Sequence, residues 1–267
     1  MKYIAKDSPQ YFAFNVWDTE SARAIIDAGE ETGHGVILQT SARVFRQLPA
    51  GEFAAWVRSY AGKRGVPVYL HLDHCSDLQE IFDAIDQGWN SVMLDASRLP
   101  LEENIAQTRQ VTAAAHQHGV LVEAEVGAIG KTTDAEIATA GWEDINAFLA
   151  QTEVDLFAAA IGTAHGLYHG APHLDFDLIR RIGERTEVPF VIHGGTGLSA
   201  GTFQQLLDCP NVKKINISTD VKQAYRRGIL LCEKEHLLEQ AGFEATKVEQ
   251  KIYREIKEMA RQKLQLL

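Results

Sequence analysis

The chain is poor in cysteine, with three in 267 residues. An odd, sparse set cannot supply a disulfide framework, which points to a reducing compartment and a cytoplasmic protein. Long apolar runs are missing as well. No stretch approaches the roughly 18 residues a membrane span requires. Met1–Gln10 is mixed and polar, without the apolar core of a secretory signal. Basic charge is also short: 26 Lys and Arg stand against 36 Asp and Glu, a formal charge of −10 with no basic block. That balance argues against a nucleic-acid surface, although a local pocket for a small anion stays compatible with it. Low-complexity segments, linkers and simple repeats are absent. At 45% hydrophobic and 23% charged residues, the composition excludes a disordered tail or a fibre.

What is present is alternation. Eight short β-type runs, Phe12–Val16, Val36–Thr40, Val68–Leu72, Ser91–Asp95, Val120–Val126, Leu156–Gly162, Phe190–His193 and Lys214–Ile217, are separated by amphipathic stretches. Thr19 opens a helix continued by Ser21, Ala22 and Ile25, and Asp77 is placed to cap Leu78–Gln87, with Gly88 at its stop. Gly119 and Gly183 read as further stops, and Pro67 and Pro189 stand just before strands. Eight strand–helix units in about 220 residues predict an α/β protein, a closed parallel (β/α)₈ TIM barrel. We expect one domain over residues 1–267, with Lys247–Leu267 as an added C-terminal helix. An open doubly wound sheet is the competing architecture. It would carry a glycine-rich loop after the first strand, where this chain has Asn15-Val16-Trp17-Asp18.

In a barrel, polar residues at the C-terminal ends of strands face the mouth. Those ends hold His74, His165 and His193. Three neutral imidazoles with an open fourth position suit a catalytic Zn²⁺, whereas a lone rim histidine needs no metal. His34, His116, His118 and His236 fall in loops or helices and read as surface residues, as do His169 and His173 in the loop after the sixth strand. Asp73, adjoining His74, suits general acid/base work beside a Lewis acid, or else caps the turn before Ser76-Asp77. Strict alternation would send it to the opposite face from His74 unless the chain turns there. Asp95 and Glu125 offer oxygen ligands for a second cation, or a surround that orients the histidines. Gly194-Gly195-Thr196-Gly197 and Asn216-Ile217-Ser218-Thr219, on adjacent strand tops, suggest a phosphate cradle. No lysine ends a strand, because Lys213 and Lys214 begin the eighth and Lys131 lies in a loop. That disfavours an imine mechanism. Cys75 reads as a small buried thiol rather than a fourth ligand.

Taken together, Phe14-Asn15, His71-Leu72-Asp73-His74, SVMLDAS at 91–97, Glu123–Gly127, AIGTAHG at 160–166, HGGTG at 193–197 and KINIST at 214–219 resemble the metal-dependent (class II) ketose-bisphosphate aldolases, collinearly over residues 11–230. The resemblance implies zinc ligands at His74, His165 and His193, an acid/base aspartate at Asp73, and an additional or monovalent cation at Asp95 and Glu125. It implies that the dihydroxyacetone phosphate moiety is met by Gly166, Gly194, Gly195, Thr196, Asn216, Ile217, Ser218 and Thr219. The implied reaction is reversible cleavage of a ketose 1-phosphate or 1,6-bisphosphate, such as fructose or tagatose bisphosphate, to dihydroxyacetone phosphate and an aldehyde through a zinc-stabilised enediolate. A homo-oligomer, dimer or tetramer, is implied too, with a sugar phosphate as partner and neither nucleic acid nor membrane. The family's mobile-loop carboxylate falls on Asp134 or Glu136, in a segment that departs from the usual pattern, as does the C-terminal tail. The departures bear on the aldehyde, and leave room for an acidic ketose 1-phosphate. Two other readings stay open on the residues alone: a metal-dependent hydrolase on the same barrel, and a non-catalytic sugar-phosphate-binding module. The hydrolase would call for a His-x-His pair where Asn15-Val16-Trp17 stands.

Overall fold

The computed structural model describes residues 4–130, 139–164, 166, 168, 172–239 and 243–267. In chain order the elements are β1 (Tyr11–Asn15), α1 (Thr19–Thr32), β2 (Val36–Ser41), α2 (Ala42–Phe45), α3 (Ala50–Ala61), β3 (Val68–Cys75), α4 (Leu78–Asp86), β4 (Ser91–Leu94), α5 (Leu101–Gln117), β5 (Leu121–Val126), α6 (Trp142–Leu149), β6 (Leu156–Ala159), α7 (Phe176–Arg185), β7 (Phe190–Ile192), α8 (Ala200–Leu207), β8 (Val212–Ile217), α9 (Thr219–Lys234) and α10 (Ala245–Leu264). All eight strands are parallel, and β8 pairs with β1 to close the barrel. The fold is a TIM barrel with helices between its strands, and each of the eight sequence-predicted runs falls on one of its strands.

Period-2 alternation explains how this barrel carries a polar mouth. Tyr11, Ala13, Ile37, Tyr69, Leu121, Leu156, Ala158 and Val191 form a separate buried apolar cluster, together with Ile4. The pairing registers link these positions across neighbouring strands. They are the inward layer nearest the strand N-termini. Further along, the same parity turns polar: Asn15 and Gln39 are partners, as are Gln39 and His71 and Ser41 and Asp73, and on β5 Leu121 gives way to Glu123. The opposite parity, including Phe12, Phe14, Leu38, Leu72, Val122 and Ile215, packs beneath the helices.

Local signals set the helices. Asp18 and Ser21 make a reciprocal capping box at α1, and Asp77 accepts from the backbone N–H of Gln79 and Glu80 at α4. Gly88 and Gly119 take positive φ, +87° and +66°, just past α4 and α5. Gly183 does not end a helix but lies inside α7. A Cβ there would sit 2.5 Å from the Asn211 side chain, so that glycine serves a close approach rather than a stop. The C-terminal helix α10 folds back onto its own barrel. Its Tyr253 donates to Asp27 of α1 at 2.7 Å, and at Gly228 of α9 a Cβ would lie 2.6 Å from Ile252 Cα.

Candidate active site

The end of β3 breaks alternation. His74 takes φ +48°, a left-handed conformation unusual for a side-chain-bearing residue, and the β3–β4 register slips between Leu72 and Cys75. Such a backbone costs on the order of 1–3 kcal/mol and is retained where surroundings over-determine it. Here it turns two consecutive side chains, Asp73 and His74, toward one point at the mouth. A ligand-competent atom of each lies within 4.8 Å of the others and of one on His193.

Carboxylates hold both imidazoles from outside. His74 Nδ1 meets Asp95 Oδ2 at 2.8 Å, and Ser97 Oγ donates to the other Asp95 oxygen at 2.7 Å. His193 Nε2 meets Glu123 Oε1 at 2.8 Å, and Lys214 Nζ donates to Glu123 Oε2 at 2.6 Å. The remaining nitrogens, His74 Nε2 and His193 Nδ1, face each other at 2.8 Å. Asn216 Nδ2 donates to His193 Nδ1 at 3.2 Å and approaches Asp73 Oδ1 at 3.4 Å. Gln39 Nε2 approaches Asp73 Oδ2 at 3.4 Å and donates to Asn15 Oδ1 at 3.0 Å. These partners assign the protons of the two rings to their outer nitrogens, so two lone pairs converge and only a proton or a cation can sit between them.

Charge follows the same plan. Burial would lower the His74 pKa, but Asp73, Asp95 and Glu125 outweigh it and push the ring up to about 9. Burial works against ionisation of Asp95 too, yet its bonds from His74 and Ser97 hold it well below the usual carboxylate range. Glu123 is also held low, because Lys214 and His193 overcome its burial. Asp73 is lowered against its burial by His74, Lys214 and His193. His71, donor or acceptor to Ser91 Oγ at 2.7 Å, is driven down to about 3 by burial and by the Lys214 charge, and is neutral. Glu125 is raised, chiefly by burial. Its Oε1 accepts from Ile129 N at 2.9 Å, while the buried Oε2 has no hydrogen-bond partner among the described residues. Two convergent imidazole nitrogens and the neighbouring Asp73 carboxylate form a donor set that fits a divalent cation.

Beside this cluster the β7–α8 and β8–α9 loops meet. Gly194 has φ +70°, and a Cβ there would come within 2.4 Å of Ala164 O. Tyr168 Oη donates to Gly194 O at 2.9 Å and accepts from Ala164 N at 3.0 Å, strapping the β6 and β7 loops together. Gly195 N donates to Asn216 O at 3.0 Å, and Thr196 Oγ1 accepts from Asp220 N at 3.3 Å. Ser218 precedes the first turn of α9 without capping it, and Thr219 opens the helix. The N-terminal N–H groups of a 16-residue helix thus open beside the glycine loop. The Ile217 side chain is buried in the outer core, so only its main chain can serve this cradle. Gly166 has φ +125°.

The structure therefore brings together Asp73, His74, His193, Asp95, Glu125 and Asn216 of the sequence-predicted site. His165, Asp134 and Glu136 lie outside the described residues, as does His169. Of the two roles left open for Asp95, its bond to His74 fits the orienting one. Cys75 is buried, its thiol pushed up to about 12 mainly by burial, and its Sγ points to Asp77 O and Glu80. Sequence reasoning missed Gln39, Glu123, Tyr168 and Lys214. Strand β8 begins at Val212, so Lys214 sits within it rather than at its start. Strand parity would have turned Gln39 and Glu123 inward, whereas nothing local marks Tyr168.

Over residues 1–267 the chain matches the family described as fructose-bisphosphate aldolase class-II. It belongs to that family. A 6-phospho-5-dehydro-2-deoxy-D-gluconate aldolase of Shouchella clausii is 38% identical over 226 residues, 82% of this chain and 77% of the relative. A sulfofructosephosphate aldolase of Alkalicoccus urumqiensis is 34% identical over 228 residues, 82% of this chain and 78% of the relative. The crystal structure of the YdjI aldolase from Escherichia coli superposes with a TM-score of 0.85 at 30% identity, covering 98% of this chain and 93% of that one. This class II aldolase is thus a lyase, which sets aside the hydrolase and the non-catalytic module. Its family is generally metal-dependent, in keeping with the donor set at the mouth.

Proposed function

We propose that this aldolase is zinc-dependent and cleaves a ketose 1-phosphate, or a 1,6-bisphosphate, to dihydroxyacetone phosphate and an aldehyde. The observation that carries the reading is the pair of imidazole nitrogens facing at 2.8 Å beside Asp73, each ring fixed from behind by a carboxylate. His74 and His193 would hold the ion with His165, and the Glu125 oxygen that lacks a partner supplies a further donor. A bound divalent ion supplies Lewis acidity for the charge that develops on the three-carbon fragment. The chain's own groups do the rest. In the cleavage direction Asp73, held as an anion, takes the proton from the C4 hydroxyl. The C4–O bond becomes the carbonyl of the departing aldehyde as the C3–C4 bond breaks, and the bonding pair stays with the three-carbon fragment as its enediolate. That enediolate becomes dihydroxyacetone phosphate when C3 takes a proton, in this reading from the expected loop carboxylate, Asp134 or Glu136. Gln39 and Asn216 keep the carboxylate aimed. The glycine loop at 194–197, Gly166 and the start of α9 receive the phosphate.

The two named relatives are aldolases of a phosphorylated gluconate and of a sulfofructose phosphate, which carry a carboxylate or a sulfonate besides the phosphate, and we extend that to this chain: the aldehyde product carries an anionic group. A cytoplasmic homo-oligomer completes the reading. A retro-aldol screen over fructose and tagatose 1,6-bisphosphate and acidic ketose 1-phosphates, with metal content measured on the same preparation, tests it. We expect dihydroxyacetone phosphate to be released only by metal-loaded protein. Release that persists after verified metal removal overturns the metal mechanism.

A further inference from the structure

Inside the barrel, directly beneath the mouth, Glu123, which backs His193, is itself paired with a buried lysine to which the reaction as derived gives no part. Lys214 of β8 and Glu123 of β5 are both 0% exposed, and Lys214 Nζ donates to Glu123 Oε2 at 2.6 Å. A lysine ammonium has only donors, so the carboxylate oxygen nearest it is committed as an acceptor. The other oxygen, Oε1, faces His193 Nε2 at 2.8 Å. His71 Nε2 stands 3.6 Å from Glu123 Oε2, beyond hydrogen-bond reach, and has no hydrogen-bond partner among the described residues. Burial of an ion pair is costly and gives little net stability against an apolar replacement, so its retention here calls for a role.

We propose that Lys214 and Glu123 are positioning residues that fix which nitrogen of His193 carries the proton, and so which lone pair it offers to the mouth. This rests on the reading of His193 as a metal ligand. A carboxylate with both oxygens accepting forces His193 to be an Nε2–H tautomer, and its Nδ1 lone pair then points toward His74 and Asp73. Asn216 Nδ2, donating to that same Nδ1, enforces the assignment from the other side. Lys214 acts through Glu123: it guarantees that no proton and no donor is presented to the ring from below.

The geometry yields a reversal test. In Glu123→Gln the amide must turn its oxygen to the Lys214 ammonium, which leaves its NH₂ facing His193 Nε2. The ring is then forced to protonate Nδ1, the nitrogen meant for the metal. In Glu123→Gln/Lys214→Met the ammonium is gone, so the amide can turn over, accept from Nε2–H and direct its NH₂ toward the His71 Nε2 that lacks a partner. Long-range ¹H–¹⁵N spectra of the metal-free, full-length protein report the His193 tautomer, assigned by loss of its signal in His193→Asn. Co²⁺ affinity is measured in competition with a chromophoric chelator.

We expect Nε2–H in the wild type, Nδ1–H in the single variant with Co²⁺ affinity lowered about 10–100-fold, and recovery of both in the double variant. A purely structural role predicts instead that the double variant, with two groups removed, binds no better than the single one. Nδ1–H in the wild type, or an unaltered tautomer in Glu123→Gln, overturns the proposal. Should the single variant not fold, the wild-type and double-variant spectra decide alone. If the wild type binds no Co²⁺, the metal reading fails while the tautomer spectra still decide this one.

Discussion

Asp73 is an anion made inside a buried pocket, held against its own desolvation by His74, Lys214 and His193. Replacing it by Asn preserves shape and removes the ability to take a proton. We expect Asp73→Asn to lower turnover about 10²–10⁴-fold, the range for a lost acid/base group, with bound metal unchanged. Metal analysis alongside the rate checks this, and a parallel fall in metal content would place Asp73 among the ligands instead. His165→Ala is expected to reduce bound metal as well as rate, and full stoichiometry in that variant removes His165 from the ligand set. Residues at strand ends were legible because strand and mouth coincide in a barrel: His74, His193 and Asp73 needed only their place after an apolar run. Glu123 and Glu125 share one parity, and their sequence cannot tell which reaches across to His193. That depends on the barrel's diameter and stagger, which bring β5 opposite β7 and β8 and are set by all eight strands together.

At the scale of elements, strand and helix order followed from period and punctuation, and the departures from it had non-local causes. Gly183 carries the local mark of a stop, but the approach of Asn211 from the start of β8 keeps it helical. The turn at His74 has no sequence mark, since it arises where β3 loses register with β4. The docking of α10 is likewise tertiary. Asp27 of α1 accepts from Tyr60 of α3 at 2.8 Å, from Tyr253 of α10 at 2.7 Å and from Arg64 at 3.2 Å. Burial would raise its pKa, but these donors outweigh it and leave it below the usual value. A carboxyl whose folded pKa is depressed contributes stability that is present above its unfolded pKa, about 3.9. The contribution is lost as pH falls through the folded value. Asp27→Asn is therefore expected to cost about 1.5–3 kcal/mol near neutrality, the range for hydrogen bonds to a charged group. The deficit should shrink as pH drops below about 4. Denaturant titrations of both proteins at neutral and acid pH check it; a deficit independent of pH would assign the loss to packing rather than to the charge.

For the whole molecule, the site is a product of closure. Its groups come from β1, β2, β3, β5 and β8 and from the residues after β4 and β7, and the facing imidazoles, His74 and His193, come from opposite parts of the chain. The cluster therefore has no counterpart in the unfolded chain. A ligand that binds only the closed barrel stabilises it by mass action, about 2.7 kcal/mol at a free concentration 100-fold over its dissociation constant. We expect Zn²⁺ or Co²⁺ to raise the thermal midpoint and a chelator to lower it, reversibly, with activity following the same titration. His74→Ala should abolish the shift and also lower the metal-free midpoint near neutrality, because it removes the cationic ring that Asp73, Asp95 and Glu125 hold raised to about 9 and leaves a Cβ-bearing residue on the same left-handed backbone. Scanning calorimetry with and without metal measures both quantities. A metal-induced shift that survives the loss of His74 would mean that the ion stabilises the barrel from somewhere other than its mouth.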